Sequence, residues 1–101
     1  MIKIKIHEAY RKIVAVADAK LIGKKFVDEK RNIQLDIKES FYDGDAVEEP
    51  KAIKIMKAAA ADDSTFSIVG EQSIQAALKA GIIEKKGLIK IQGIPHALGL
   101  L

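Results

Sequence analysis

Ile2, Ile4 and Ile6 alternate with Lys3, Lys5 and His7, a period of two that predicts a strand with one apolar face and one cationic face. After the polar reversal Glu8-Ala9-Tyr10-Arg11, the run Lys12 to Ala17 predicts a second strand. It is nearly uncharged beyond Lys12, so it belongs near the centre of a sheet. Asp18 is placed to cap a single helical turn, Ala19 to Ile22, closed by Gly23. Ile33, Leu35 and Ile37 alternate with Gln34, Asp36 and Lys38 in a further half-buried strand, so antiparallel hairpins account for most of the first forty residues. Glu39 to Asp45 is a loop built around the turn dipeptide Asp43-Gly44. One ring of the preceding Phe41-Tyr42 pair anchors the loop, and the other covers the sheet edge or stacks on a base.

The period then changes to that of helices. Glu48-Glu49-Pro50 has the composition of a helix opening. Ile53, Met56 and Ala60 share one face and Lys51, Lys54 and Lys57 a solvated one, until Asp62-Asp63-Ser64-Thr65 competes for the backbone bonds and ends the helix. A second helix starts at Ser67 or Gly70, either of which can cap it. Glu71 opposes the helix dipole, Ile74, Ala77 and Leu78 form the apolar stripe, and Gly81 followed by Ile82 closes it. Leu88 to Gln92 alternates as a strand, and Gly93-Ile94-Pro95-His96 reads as a closing turn. The layout is α+β: a small single domain over 1–101, mainly antiparallel sheet, with two helices packed on one face.

The absence of cysteine removes disulfide scaffolds, thiolate zinc sites and cysteine nucleophiles, and makes a reducing cytoplasm the expected setting. No apolar run approaches the ~20 residues that cross a bilayer, so no membrane partner is expected. The net charge of +3 is unevenly spread. Residues 1–38 hold ten Lys/Arg against five Asp/Glu, residues 39–71 three against eight, and residues 72–101 four against one. Two basic segments therefore flank an acidic one, which attracts polyanions if the basic parts fold onto one surface.

Chemical motifs are sparse. Neither GxGxxG nor GxxxxGK[ST] occurs around Gly70-Glu71 or Gly93, so these glycines serve caps and close packing, and no cofactor is expected. His96 has His7 as its only fellow histidine, far away in sequence, which leaves a metal site without partners. No GxSxG orders a nucleophile.

The segments LIGKKF (21–26), ESFYDGD (39–45), IVGEQSIQAAL (68–78) and GIPHA (93–97), in this order and spacing, resemble the archaeal domain-of-unknown-function family four-two-four. The resemblance spans nearly the whole chain and is carried by Gly23, Lys24, Phe41, Tyr42, Gly44, Gly70, Glu71, Gly93, Pro95 and His96. It implies an archaeal cytoplasmic protein with a small α+β fold, associated with RNA and translation, and no established activity.

With the paired basic segments, it favours a non-enzymatic RNA-binding module. In that reading Lys3, Lys5, Lys24, Lys25 and Lys90 contact phosphates, Tyr42 stacks, and His96 with Gly93 makes polar contacts. The alternatives are a small-ligand or enzymatic site built from Tyr42, Glu71 and His96, and a protein-partner or homo-oligomeric module using the apolar end Leu98-Gly99-Leu100-Leu101. The RNA reading requires the lysine side of the first strand to meet the Pro95-His96 bend in one accessible patch.

Overall fold

The computed structural model describes residues 1–99. The opening strand β1 (Ile2–His7) pairs antiparallel with β2 (Ile13–Asp18), Ile4 standing opposite Val16. A 3-10 turn, Ala19–Leu21, leads into the hairpin of β3 (Lys25–Asp28) and β4 (Ile33–Asp36). A single helical turn, α1 (Glu39–Tyr42), precedes a short strand, β5 (Asp45–Val47), which lies on the outer edge of β1. Helix α2 (Glu49–Ala61) then carries the chain back to β6 (Thr65–Val69), parallel to β2. Helix α3 (Glu71–Ala80), a 3-10 turn at Lys85–Gly87, and the hairpin β7 (Ile89–Ile91) and β8 (Ile94–Gly99) complete the described chain. The main sheet runs β5-β1-β2-β6-β8-β7, and β3-β4 forms a second sheet of its own.

Two cores sit on the two faces of the main sheet. Helices α2 and α3 cover Ile2, Ile4, Val14, Val16, Phe66, Ile68 and Ala97. Leu21, Leu35, Ile37 and Tyr42 cover Ala15, Ala17 and Val69 on the other side. Successive β2 residues alternate between these cores, so Val14 to Asp18 are all buried, as the missing charge in that strand predicted. The α+β class, the mainly antiparallel sheet and the two helices on one face agree with the sequence reading.

Ile33 to Asp36 pairs with β3 in an antiparallel hairpin, as the alternation predicts, and that hairpin is a sheet of its own. Two expectations change. The stretch before the second helix is β6, the strand that joins the two halves of the sheet, and the cap position falls to Gly70 while Ser67 stays inside the strand. Thr65, Phe66, Ser67 and Ile68 alternate polar and apolar, but the strand is only five residues long and lies between the end of one helix and the start of the next. The closing turn is Gln92-Gly93, both at positive φ (51° and 79°), which is the two-residue geometry of a β-hairpin. Ile94, Pro95 and His96 are strand. Pro95 is tolerated there because its missing N–H would face Gly70, whose carbonyl already accepts the Ile74 N–H of α3 at 2.9 Å. The Pro95 carbonyl in turn accepts the Gly70 N–H at 2.9 Å.

Helix α3 ends as its sequence predicts. Gly81 is left-handed (φ 76°), the Ile82 N–H reaches back to Ala77 O at 3.2 Å, and the Ile82 side chain is buried against the helix core. The start of α3 is capped from elsewhere. Asp18, 2% exposed at the end of β2, accepts the Ser73 N–H (2.8 Å), the Gln72 N–H (3.1 Å) and the Ser73 hydroxyl (2.8 Å). Its carboxylate makes no capping bond to the 3-10 turn that follows it in sequence. Gly70 lets this happen: a Cβ there would stand 2.4 Å from Asp18 Cγ, and its φ of 102° suits glycine alone.

Candidate functional site

The base of the β3-β4 hairpin is closed by two backbone bonds between residues 23–24 and Ile37, and a third fastens Lys24 to the 3-10 turn before it. Gly23 N–H donates to Ile37 O (2.7 Å), Ile37 N–H to Lys24 O (2.9 Å) and Lys24 N–H to Leu21 O (3.0 Å). These bonds bring residue 24 beside residue 37, and so gather Lys20, Lys24, Lys25 and Lys38 around the base of the hairpin. All four are exposed. Asp36, the register partner of Lys25, and Glu39, whose Oε1 approaches Gly23, are the carboxylates nearby, and the cluster keeps a positive surplus.

The remaining predicted contacts are dispersed. Lys3 is held by Asp43 at 3.1 Å, and the Lys5 ammonium donates to Ser40 O at 3.0 Å, so α1 and the loop after it occupy the cationic face of β1. His7 lies under the same turn. Its Nε2 is 2.8 Å from Phe41 O and its ring stacks on Phe41 with centroids 4.6 Å apart. Tyr42 is no stacking platform, being 5% exposed, with its hydroxyl 2.8 Å from Ser67 Oγ. Burial raises the phenol's pKa above its ordinary value, and the Ser67 bond offsets part of that. Phe41 is the ring that covers and Tyr42 the ring that anchors.

His96 stands between Val69 and Ile89 on the hairpin side of the sheet, half-buried, and desolvation pulls its imidazole below the usual pKa. Lys3 shares that side, but the row Lys3, Ala17, Val69, His96 crosses three strand spacings, about 14 Å at ~4.8 Å each. Buried Ala17 and Val69 lie between them, so the lysine face and the histidine strand do not meet in one patch.

Glu71 lies across the sheet from Tyr42 and His96. It lines a groove on the helix side together with Lys90 and Pro95, so Tyr42, Glu71 and His96 do not form a common site. Gly44 is a packing residue: a Cβ there would meet Ile4 O at 2.0 Å, where β5 approaches β1. Gly70 is likewise structural, and the Gln72 and Ser73 amides are taken by Asp18. Gly93 serves the hairpin turn. Leu98 is 65% exposed, and Leu100-Leu101, invoked for self-association, lie outside the described residues.

Asp18 is the residue that sequence reasoning misassigned. The available signal was a lone acid closing an apolar strand, where burial demands a set of donors.

Residues 6–100 match the family model described as Protein of unknown function (DUF424). The chain belongs to this family. A solved structure described as an uncharacterized conserved protein from Methanopyrus kandleri is similar at TM-score 0.80 and 24% identity, over 96% of this chain and 88% of the other. At that identity it carries the fold alone. No curated protein matches the chain. Among the described residues no helix is long and apolar enough to cross a membrane.

Proposed function

We propose that this DUF424 protein is a non-enzymatic RNA-binding module whose phosphate contacts are Lys20, Lys24, Lys25 and Lys38. The observation that carries the reading is the fastening of Gly23-Lys24 to Ile37, which brings four exposed lysines to the base of one hairpin. Lys24, Lys25 and Gly23 are shared with the contact set expected from sequence. Lys20 and Lys38 replace Lys3 and Lys5, whose ammonium groups are engaged by Asp43 and Ser40. Single-stranded RNA suits flexible lysines that approach phosphates as point charges, and with no aromatic platform in the cluster the binding is independent of sequence.

The test is fluorescence anisotropy with labelled single-stranded RNA at a series of salt concentrations. Four phosphate contacts on a single strand give a slope of log K against log salt near about −3. Each Lys→Gln substitution in the cluster lowers that slope by about 0.7, and Lys51→Gln on α2 leaves it unchanged. Binding that ignores salt, or that survives the quadruple substitution, refutes the proposal.

A further inference from the structure

On the helix side, a groove of about 210 Å³ runs between α3 and β7. Its floor is Ile74, Leu78, Leu88 and Pro95. It follows α3 from Glu71 to Leu78, ~10 Å of helix at 1.5 Å per residue. Glu71 and Lys90 both line it, carried there by backbone pairing. Gly70, which precedes Glu71, donates its N–H to Pro95 O, and Lys90 is the register partner of Pro95. The neighbouring cations Lys79 and Lys86 are engaged by Glu49 and Glu84, whereas Glu71 and Lys90 form no ion pair within 4.0 Å among the described residues.

We infer that this groove binds a free α-amino acid with an apolar side chain. Its ammonium meets Glu71, its carboxylate meets Lys90, and its side chain lies over Ile74, Leu78 and Leu88. A carboxylate and an ammonium that line one apolar groove without pairing to each other complement a zwitterion. A simple fatty-acid anion fits less well, because Glu71 repels it where Lys90 would attract it; only Lys85, which also lines the groove, is left to hold it. The volume lies below the roughly 300–1,000 Å³ of sites for drug-sized ligands, in keeping with an occupant this small. An open groove of this size gives dissociation constants of about 1 mM, since few contacts are available to offset the lost freedom of the ligand. The site is on the opposite face from the lysine cluster, so it stands or falls independently of RNA binding.

Nuclear magnetic resonance titration of the intact protein tests it, with L-leucine, L-phenylalanine, 4-methylpentanoate, 3-methylbutylamine and decanoate as probes. Leucine or phenylalanine should give saturable amide shifts confined to the first two turns of α3 and to β7. Binding should weaken at least tenfold for the ligands lacking the amine or the carboxylate, and for Glu71→Gln and Lys90→Gln. Lys54→Gln, on the exposed face of α2 and outside the groove, should leave it unchanged. Both Glu71 and Lys90 are exposed, so these variants keep the fold, which the undisturbed remainder of the spectrum verifies. Absence of saturable shifts with both amino acids overturns the inference, as does decanoate or 4-methylpentanoate binding as well as leucine, or binding left undiminished by Glu71→Gln or Lys90→Gln.

Discussion

Replacing Asp18 by alanine removes the cap of α3 from a residue that is more than fifty positions away in sequence. The carboxylate holds two backbone N–H groups and the Ser73 hydroxyl, at 2.8 to 3.1 Å. Losing a capping oxygen costs about 0.5–2 kcal/mol, and leaving the buried Ser73 hydroxyl without its partner adds about 1–3 kcal/mol. Relief from desolvating a 2%-exposed carboxylate offsets part of that, for a net loss of about 3 kcal/mol. In a domain held by ~5–15 kcal/mol this is a large fraction.

Asp18→Asn keeps the volume and one acceptor oxygen but gives up the anion at the positive helix end, for about 1–2 kcal/mol. Urea unfolding followed by circular dichroism measures both variants, with hydrogen exchange locating the damage at the Gln72 and Ser73 amides. In the double variant Asp18→Ala/Ser73→Ala the losses should fall short of additive, because the orphaned hydroxyl is gone. An Asp18→Ala protein within about 0.5 kcal/mol of the parent, the usual spread for surface changes, refutes the capping account.

Other substitutions separate packing from chemistry. Gly44→Ala forces a methyl to 2.0 Å from Ile4 O, and should cost about 3 kcal/mol in urea midpoint experiments and unpair β5 from β1; a neutral result contradicts the close approach. Ser64→Ala should be neutral or up to about 1 kcal/mol stabilising, since the buried Ser64 hydroxyl has no partner among the described residues, and clear destabilisation would indicate one. Burial lowers the folded-state pKa of His96, so the unfolded chain takes up the proton first as pH falls. Its contribution is therefore fully present above the unfolded value of roughly 6.5 and is lost as pH drops through the folded value. His96→Gln should flatten the stability–pH curve in that window, and an unchanged slope there counts against the burial of the ring.

Local chemistry made parts of this fold legible. The Ile/Lys alternation of β1, the proline opening of α2 and the Gly81-Ile82 ending of α3 are each decided within a few residues by sterics or capping, and they stand where the sequence placed them. Asp18, Ser67 and Tyr42 were read by the same local rules and came out differently, because their partners are distant. Asp18 answers to Ser73, and Tyr42 to Ser67, and only the parallel pairing of β2 with β6 brings those pairs within reach. The charge map suffered in the same way. Lys3 and Lys24 are indistinguishable as letters, yet the α1–β5 connection delivers Asp43 to the first, while the Gly23–Ile37 bonds crowd the second with other lysines.

The parallel pair β2 and β6, followed by α3, has the layout in which α/β proteins commonly offer free helix N–H groups to an anionic ligand. Here that position is filled from within, since Asp18 occupies the Gln72 and Ser73 amides and Gly70 is shaped to admit it. An external phosphate would have to expel a carboxylate that is 2% exposed and held by the helix it caps. Anion recognition by the α3 amides is thereby closed. The proposed ligand sites rest instead on side-chain chemistry on either side of the sheet: exposed lysines at the hairpin base for a polyanion, and the groove lined by Glu71 and Lys90 for a small zwitterion. The two make opposite demands on salt. Raising it should abolish the first, which rests on released counterions, and largely spare the second, which also rests on apolar contact.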